Sequence, residues 1–104
     1  MALSYTINRV SQADIQDVFN LSNDGLVRAN SIHSHRITWE EHQQWFDQRI
    51  QSADPFYIIR DANHKLVAQV RIDRAKEVII SISISPEYRG KGLSAYLFRI
   101  CSEK

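Results

Sequence analysis

The fold class predicted for this chain is a mixed α/β sandwich around a mainly antiparallel sheet, with elements in the order β-α-α-β-β-β-α. Three observations carry that expectation. The hydrophobic period switches between two and three-to-four along the chain, Phe56 to Asp73 reads as two strands around a polar turn, and an apolar stripe with helical spacing closes the sequence. The 104 residues make at most one domain, spanning positions 1–104, and 43% hydrophobic with 24% charged residues is the balance of a chain that folds.

Alternation of Tyr5, Ile7 and Arg9 with Thr6, Asn8 and Val10 predicts a first strand over 4–10. Ser11 then caps a helix over 12–23: Asp14 stands three residues on, Val10 can staple onto Ile15, and Ile15, Val18 and Phe19 form the apolar stripe that ends before Gly25. Both periods are lost over 26–37, where Asn30, Ser31, His33, Ser34, His35 and Arg36 make a polar loop of the kind that carries function. Thr38-Trp39-Glu40-Glu41 is a capping box, and Trp39, His42, Trp45, Phe46, Arg49 and Ile50 keep helical spacing until Asp54-Pro55. A hairpin follows, with arms 56–60 and 66–73 around the turn 61–65. After a tight connection at 74–77, residues 78–84 read as a central strand that Pro86 ends. Leu93, Tyr96, Leu97, Ile100 and Cys101 recur at the spacing of a last amphipathic helix.

Composition excludes several classes. Thirteen Lys and Arg against twelve Asp and Glu leave a net charge of +1, which argues against a dedicated nucleic-acid binder. A single cysteine, Cys101, precludes an intramolecular disulfide and a multi-cysteine metal site, and it fits a reducing cytoplasm. The first residues have neither the basic nor the apolar stretch of a signal peptide, and no apolar run is long enough to span a bilayer, so no membrane role is expected.

Chemistry concentrates in Ile82-Ser83-Ile84-Ser85-Pro86-Glu87-Tyr88-Arg89-Gly90-Lys91-Gly92-Leu93-Ser94, a strand, a loop with two glycines and a helix start. That combination is an anion cradle. Glycines let backbone N–H groups approach a phosphate, the first helical turn offers unpaired donors, and Arg89 and Lys91 add charge, so a pyrophosphate is the natural guest. A Walker A site is excluded, because Ser85 replaces its first glycine and Gly92 its Ser or Thr. Gly90-x-Gly92-x-x-Ala95 matches a dinucleotide fingerprint, yet only nine residues follow Ala95, too few for the strand with its acidic residue.

The same residues resemble the acetyl-CoA-binding motif of the GNAT acyl-CoA N-acyltransferases, with Arg89, Gly92 and Ser94 at the positions of its Arg or Gln, its Gly and its final Gly or Ala. The likeness implies a GNAT-like fold and acetyl-CoA as co-substrate, with the pyrophosphate over Arg89, Gly90, Lys91, Gly92, Leu93 and Ser94. It also implies that N–H groups at a bulge in Ile82, Ser83 and Ile84 hold the pantetheine arm and polarise the thioester. Upstream, Ser22-Asn23, Val27-Arg28-Ala29-Asn30-Ser31, Ile37-Thr38-x-Glu40-Glu41-His42-x-x-Trp45-Phe46 and Gln69-Val70-Arg71-Ile72-Asp73 resemble the branch that acetylates amino sugars on nucleotide carriers, as in pseudaminic acid biosynthesis. A primary amine on such a sugar is then the expected small-molecule substrate, attacking acetyl-CoA directly. The candidates for its general base are His42 and a water near Glu77.

Several of these residues have a second reading. His42, among Trp39, Trp45 and Phe46 on one helical face, reads first as a packed, hydrogen-bonded core histidine, and Gln69, Arg71 and Asp73 on one strand face suit either a substrate contact or a solvated face with a local ion pair. The family's fold continues with another strand beside 78–84 and a further helix, which commonly supply a tyrosine that protonates the leaving thiolate. Here the last helix reaches Ser102-Glu103-Lys104 without a stop signal, so the chain is expected to be a partial domain, truncated after the acetyl-CoA-binding helix. The exposed edge of 78–84 and the partly covered stripe of the last helix then predict a homodimer. The alternative to a transferase is a non-catalytic CoA-binding or self-associating module derived from that fold.

Overall fold

The structure, a computed structural model, describes residues 4–31 and 35–102. Four strands, β1 (Thr6–Arg9), β2 (Phe56–Arg60), β3 (Leu66–Asp73) and β4 (Ile79–Ile84), form one sheet in that order, each neighbouring pair antiparallel. Helices α1 (Ile15–Ser22) and α3 (Trp39–Gln51) cover one face and α4 (Leu93–Ser102) the other.

Strand alternation divides the core between these faces. Phe56 and Ile58 of β2 pack with Val18 of α1 and Phe46 of α3, while Tyr57, Ile59, Ala68, Val70 and Ile72 pack with Leu93, Leu97 and Cys101 of α4. Covered on both sides, Phe56 to Ile59 are all buried, as their unbroken apolar run requires. Arg60 ties this layer to the chain's start: its guanidinium donates to Asp14 at 2.8 Å and Asp17 at 2.9 Å.

Caps form where the sequence marks them. Ser11 N donates to Asp14 Oδ2 at 2.8 Å, and Thr38 and Glu41 close a reciprocal box at 3.1 and 3.2 Å. The first helix nevertheless opens as a 3₁₀ turn, Gln12–Asp14, before α1 begins. Within the segment expected to be loop, Gly25–Ala29 is a short helix, α2, because Asp24 accepts from the N–H groups of Leu26 and Val27 and caps it. Asn23 brackets the rest, exchanging hydrogen bonds with the backbone of Ile37 at 2.7 and 2.9 Å. Of the polar loop, Ile32, His33 and Ser34 lie outside the described residues.

β4, whose pattern reads as a central strand but which is expected to be a bare edge in a partial domain, pairs with β3 alone among the described residues, and its Ile/Ser alternation packs Ile80, Ile82 and Ile84 toward α4. Its ladder to β3 runs from Ile79 to Ile84 without a register shift, so the expected bulge is absent; the sheet's irregularity falls between Ile59 and Arg60. On α4, Leu97 and Cys101 are sealed against the sheet, whereas Tyr96, expected on the apolar stripe, is exposed. Among the described residues no helix is long and apolar enough to cross a membrane.

Candidate functional site

On the α1/α3 side of the sheet an open cleft of about 990 Å³ runs from β3 and β4 to the loop that starts α4. Register builds its floor: Gln69 stands opposite Ser83 and Arg71 opposite Ser81, so these four side chains share one face. Ser22, α2 and the His42 side of α3 wall it. Of the residues singled out by sequence, His42, Ile82, Ser83, Ile84, Arg89, Gly90, Gly92, Leu93 and Ser94 line the cleft, as do Asn30, Ser31 and His35 from the polar loop. Lys91 and Glu77 do not.

The cradle has the backbone that its glycines predict. Gly90 and Gly92 have φ of +76° and +72°, a region that L side chains rarely adopt, and nothing lies within 4 Å of where either Cβ would sit. The turn therefore presents its backbone to open space beside the first N–H groups of α4, which have no intrahelical acceptor.

Its expected side-chain charge is otherwise engaged. Arg89 donates through Nη2 to Asp24 and through Nε to the Ile84 carbonyl at 3.0 Å, so it fastens the loop to the α1–α2 junction and to the end of β4. The hydrogen bond from Arg89 is the main reason that Asp24 titrates below the usual carboxylate range. Lys91 is exposed, its ammonium 5.4 Å from the Tyr88 ring centre. Tyr88 in turn donates to Asp61, which pushes the phenol up to about 12 and joins the hairpin turn to the cradle.

His42 is 1% exposed, and its Nε2 lies 2.9 Å from the Ile15 carbonyl, which requires that nitrogen to be the donor. Phe19, Trp39, Trp45 and Phe46 surround the ring at centroid distances of 5.1 to 5.9 Å. Burial, partly opposed by the Ile15 bond, pulls the imidazole below its ordinary value and keeps it neutral. Only Nδ1 remains to take up a proton.

The strand face of Gln69, Arg71 and Asp73 divides between its two readings. Asp73 pairs with Arg49 at 3.1 Å, whereas Gln69 and Arg71 line the cleft. Gln69 is 3% exposed; its Nε2 donates to Ser22 Oγ at 3.3 Å, and its Oε1 is buried with no partner among the described residues. Arg71 lies with Cζ 5.1 Å from the Trp45 ring centre. Desolvation is the main influence holding its guanidinium below its ordinary value, with Asp73 opposing it and Arg49 and Arg28 adding to it. Sequence reasoning missed Asp24 altogether; its signal was an N-cap residue directly before Gly25.

The model of the family described as Acetyltransferase (GNAT) matches residues 15–104. No curated protein matches the chain. Among solved structures, spermidine N-acetyltransferase from Vibrio cholerae, in complex with CoA and spermine, superposes with a TM-score of 0.75 at 19% identity, over 93% of this chain and 60% of that one. An N-acetyltransferase from Staphylococcus aureus gives 0.76 at 17% identity, over 94% and 64%. A protein described as a proposed acetyltransferase from Acinetobacter baylyi gives 0.80 at 18%, over 98% and 62%. At these identities the likeness is one of fold. The chain spans about 60% of the length of the first of these structures.

Proposed function

The chain belongs to the GNAT acetyltransferase family, and from that premise we propose that it transfers the acetyl group of acetyl-CoA to a primary amine by direct attack. The observation that carries this reading is the left-handed turn at Gly90 and Gly92, open at both Cβ positions and joined to a helix start at one end of the cleft. Backbone N–H groups from Arg89 to Ser94 would hold the pyrophosphate, with Arg89 acting mainly as the loop's fastening and Lys91 as a screening charge at the rim. The edge of β4 at Ile82, Ser83 and Ile84 has donors and acceptors unpaired by β3, and the pantetheine arm can run along it as an added strand would.

Acetyl-CoA supplies the activated thioester. The amine nitrogen bonds to its carbonyl carbon, the C–S bond breaks, and sulfur leaves as the thiolate. We assign proton acceptance from the amine to His42, through Nδ1, since that ring borders the cleft, is held neutral by burial and has Nε2 fixed by Ile15. The resemblance of the 22–46 and 69–73 segments to the amino-sugar branch supports an amino sugar on a nucleotide carrier as the acceptor. The exposed Val78 and Ile79 at the start of β4, away from the 82–84 stretch given to the pantetheine arm, support a homodimer, and the single cysteine, Cys101, a cytoplasmic setting.

Calorimetric titration with acetyl-CoA, followed by thiol release on adding an amino-sugar nucleotide, tests the reading. Saturable binding with thiol release supports a transferase. Binding without thiol release for any amine points instead to the CoA-binding module, and absence of binding removes the cradle.

A further inference from the structure

The cleft floor on β3 carries recognition chemistry that the cradle does not use. Arg71 is the unusual group. The carboxylate that acts on it, Asp73, is itself paired with Arg49 at 3.1 Å. Its recorded contact is the Trp45 ring, and a cation over a ring face is held without spending its N–H donors. The charge of Asp73 offsets the desolvation of this guanidinium only in part, and a bound anion would offset more of it.

Gln69 adds a second demand. Its buried Oε1 accepts nothing among the described residues, and a buried unpaired acceptor is a seat for an N–H or O–H donor. Two positions apart on one strand face, Gln69 and Arg71 stand about 7 Å from each other. Together they ask for a molecule with a donor and an acid group at that separation. Charge over the lining agrees: Arg28 and Arg71 line it, Arg89 lines it while paired with Asp24, and Glu41, the one carboxylate residue that lines it among the described residues, accepts from the Thr38 cap and lies 3.8 Å from His35. A polycation would find one carboxylate there, already hydrogen-bonded to the Thr38 cap.

We propose that Arg71 and Gln69 form an acid-recognition subsite, so that the amines accepted are ones carrying a carboxylate or a phosphate rather than polyamines. The subsite rests on the transferase reading for its purpose but not for its measurement. The test is calorimetric titration of the CoA-loaded protein with glutamate, with a uridine-diphosphate-linked amino sugar and with spermidine. At least one acid-bearing amine should bind about tenfold tighter than spermidine. Tight binding of glutamate identifies a carboxylate, and of the nucleotide sugar alone a phosphate. Arg71→Met should lose about tenfold for that ligand while CoA affinity stays within about threefold, and Arg71→Lys should recover part of the loss. Should Arg71→Met fold poorly, the lysine variant and the parent's own selectivity still decide.

Spermidine as the tightest of the three, or an Arg71→Met protein that keeps its affinity for the acid, overturns the subsite. Thiol release measured on the same samples keeps the two ideas apart: selective binding without turnover removes the transferase and leaves the subsite standing.

Discussion

Gly92 separates two costs that a single substitution would confuse. With φ at +72° and no atom within 4 Å of a Cβ position, a side chain there meets no steric clash within the protein but does strain the backbone, and it enters the space assigned to the phosphate. Gly92→Val would block the approach of a phosphate but carries a strain cost of about 1–2 kcal/mol as well. Gly92→Asn is the cleaner variant, since Asn tolerates this region. It should bind CoA about tenfold more weakly while its thermal midpoint falls by less than about 5 °C, and CoA affinity equal to the parent's would remove the cradle. His42 supports a second prediction. If Nδ1 takes the amine's proton, His42→Ala should lower kcat about a hundredfold and leave CoA affinity within about threefold; equal losses in both, or lost folding alone, would make it a core histidine only. Its lowered pKa also fixes a sign. The unfolded chain binds the proton more readily, so stability is complete above the ordinary value of 6.5 and declines as pH falls from there through the folded value. Unfolding midpoints of parent and His42→Gln between about pH 5 and 8 should converge at the acid end.

At the scale of elements, what repeats along the sequence was legible and what is decided by one local bond was not. The hairpin and the capping box of α3 were readable because period and cap point to the same structure over several residues. α2 was not, since five residues display no period and Gly25 reads as a helix stop until Asp24 is recognised as the cap of a new one. The same carboxylate links α2 to the cradle through Arg89, a contact between positions 65 apart that no local pattern announces. That link predicts an acid dependence. Asp24 has its pKa lowered in the fold, chiefly by the Arg89 hydrogen bond, so its stabilisation is present above the unfolded value near 3.8 and is lost as pH falls through the folded one. Urea midpoints of the parent should drop over that acid range, and Asp24→Asn should show a shallower drop from a lower starting point. Identical acid limbs in the two proteins would mean that Arg89 is fastened by Ile84 alone.

Across the whole molecule, the side of β4 away from β3 decides behaviour in solution. The sequence made that strand central because its first residues are apolar on both faces, a pattern that a covered strand and an unpaired edge share. Isolated edges normally carry charge or proline, yet Ile79–Ile84 has neither, and its first residue Ile79 and the preceding Val78 are 51% and 66% exposed. The apolar stripe of α4 adds less than the sequence suggested, because Leu93, Leu97 and Cys101 are sealed against the sheet; Phe98, half exposed, and Tyr96 remain. The Val78–Ile79 end of that edge, apolar and unpaired by β3 on its outer side, is a template for a second copy while the 82–84 end is left to the CoA arm, and each buried square ångström of apolar surface contributes about 25 cal/mol. The chain should therefore sediment as a dimer at micromolar concentration. Val78→Lys with Ile79→Lys, remote from the cradle, should shift it to monomer and leave CoA affinity within about threefold, since charge on an edge opposes pairing without touching the 89–94 loop. If the parent is a compact monomer with full transferase activity, the edge is not an interface and the CoA arm alone accounts for its bareness.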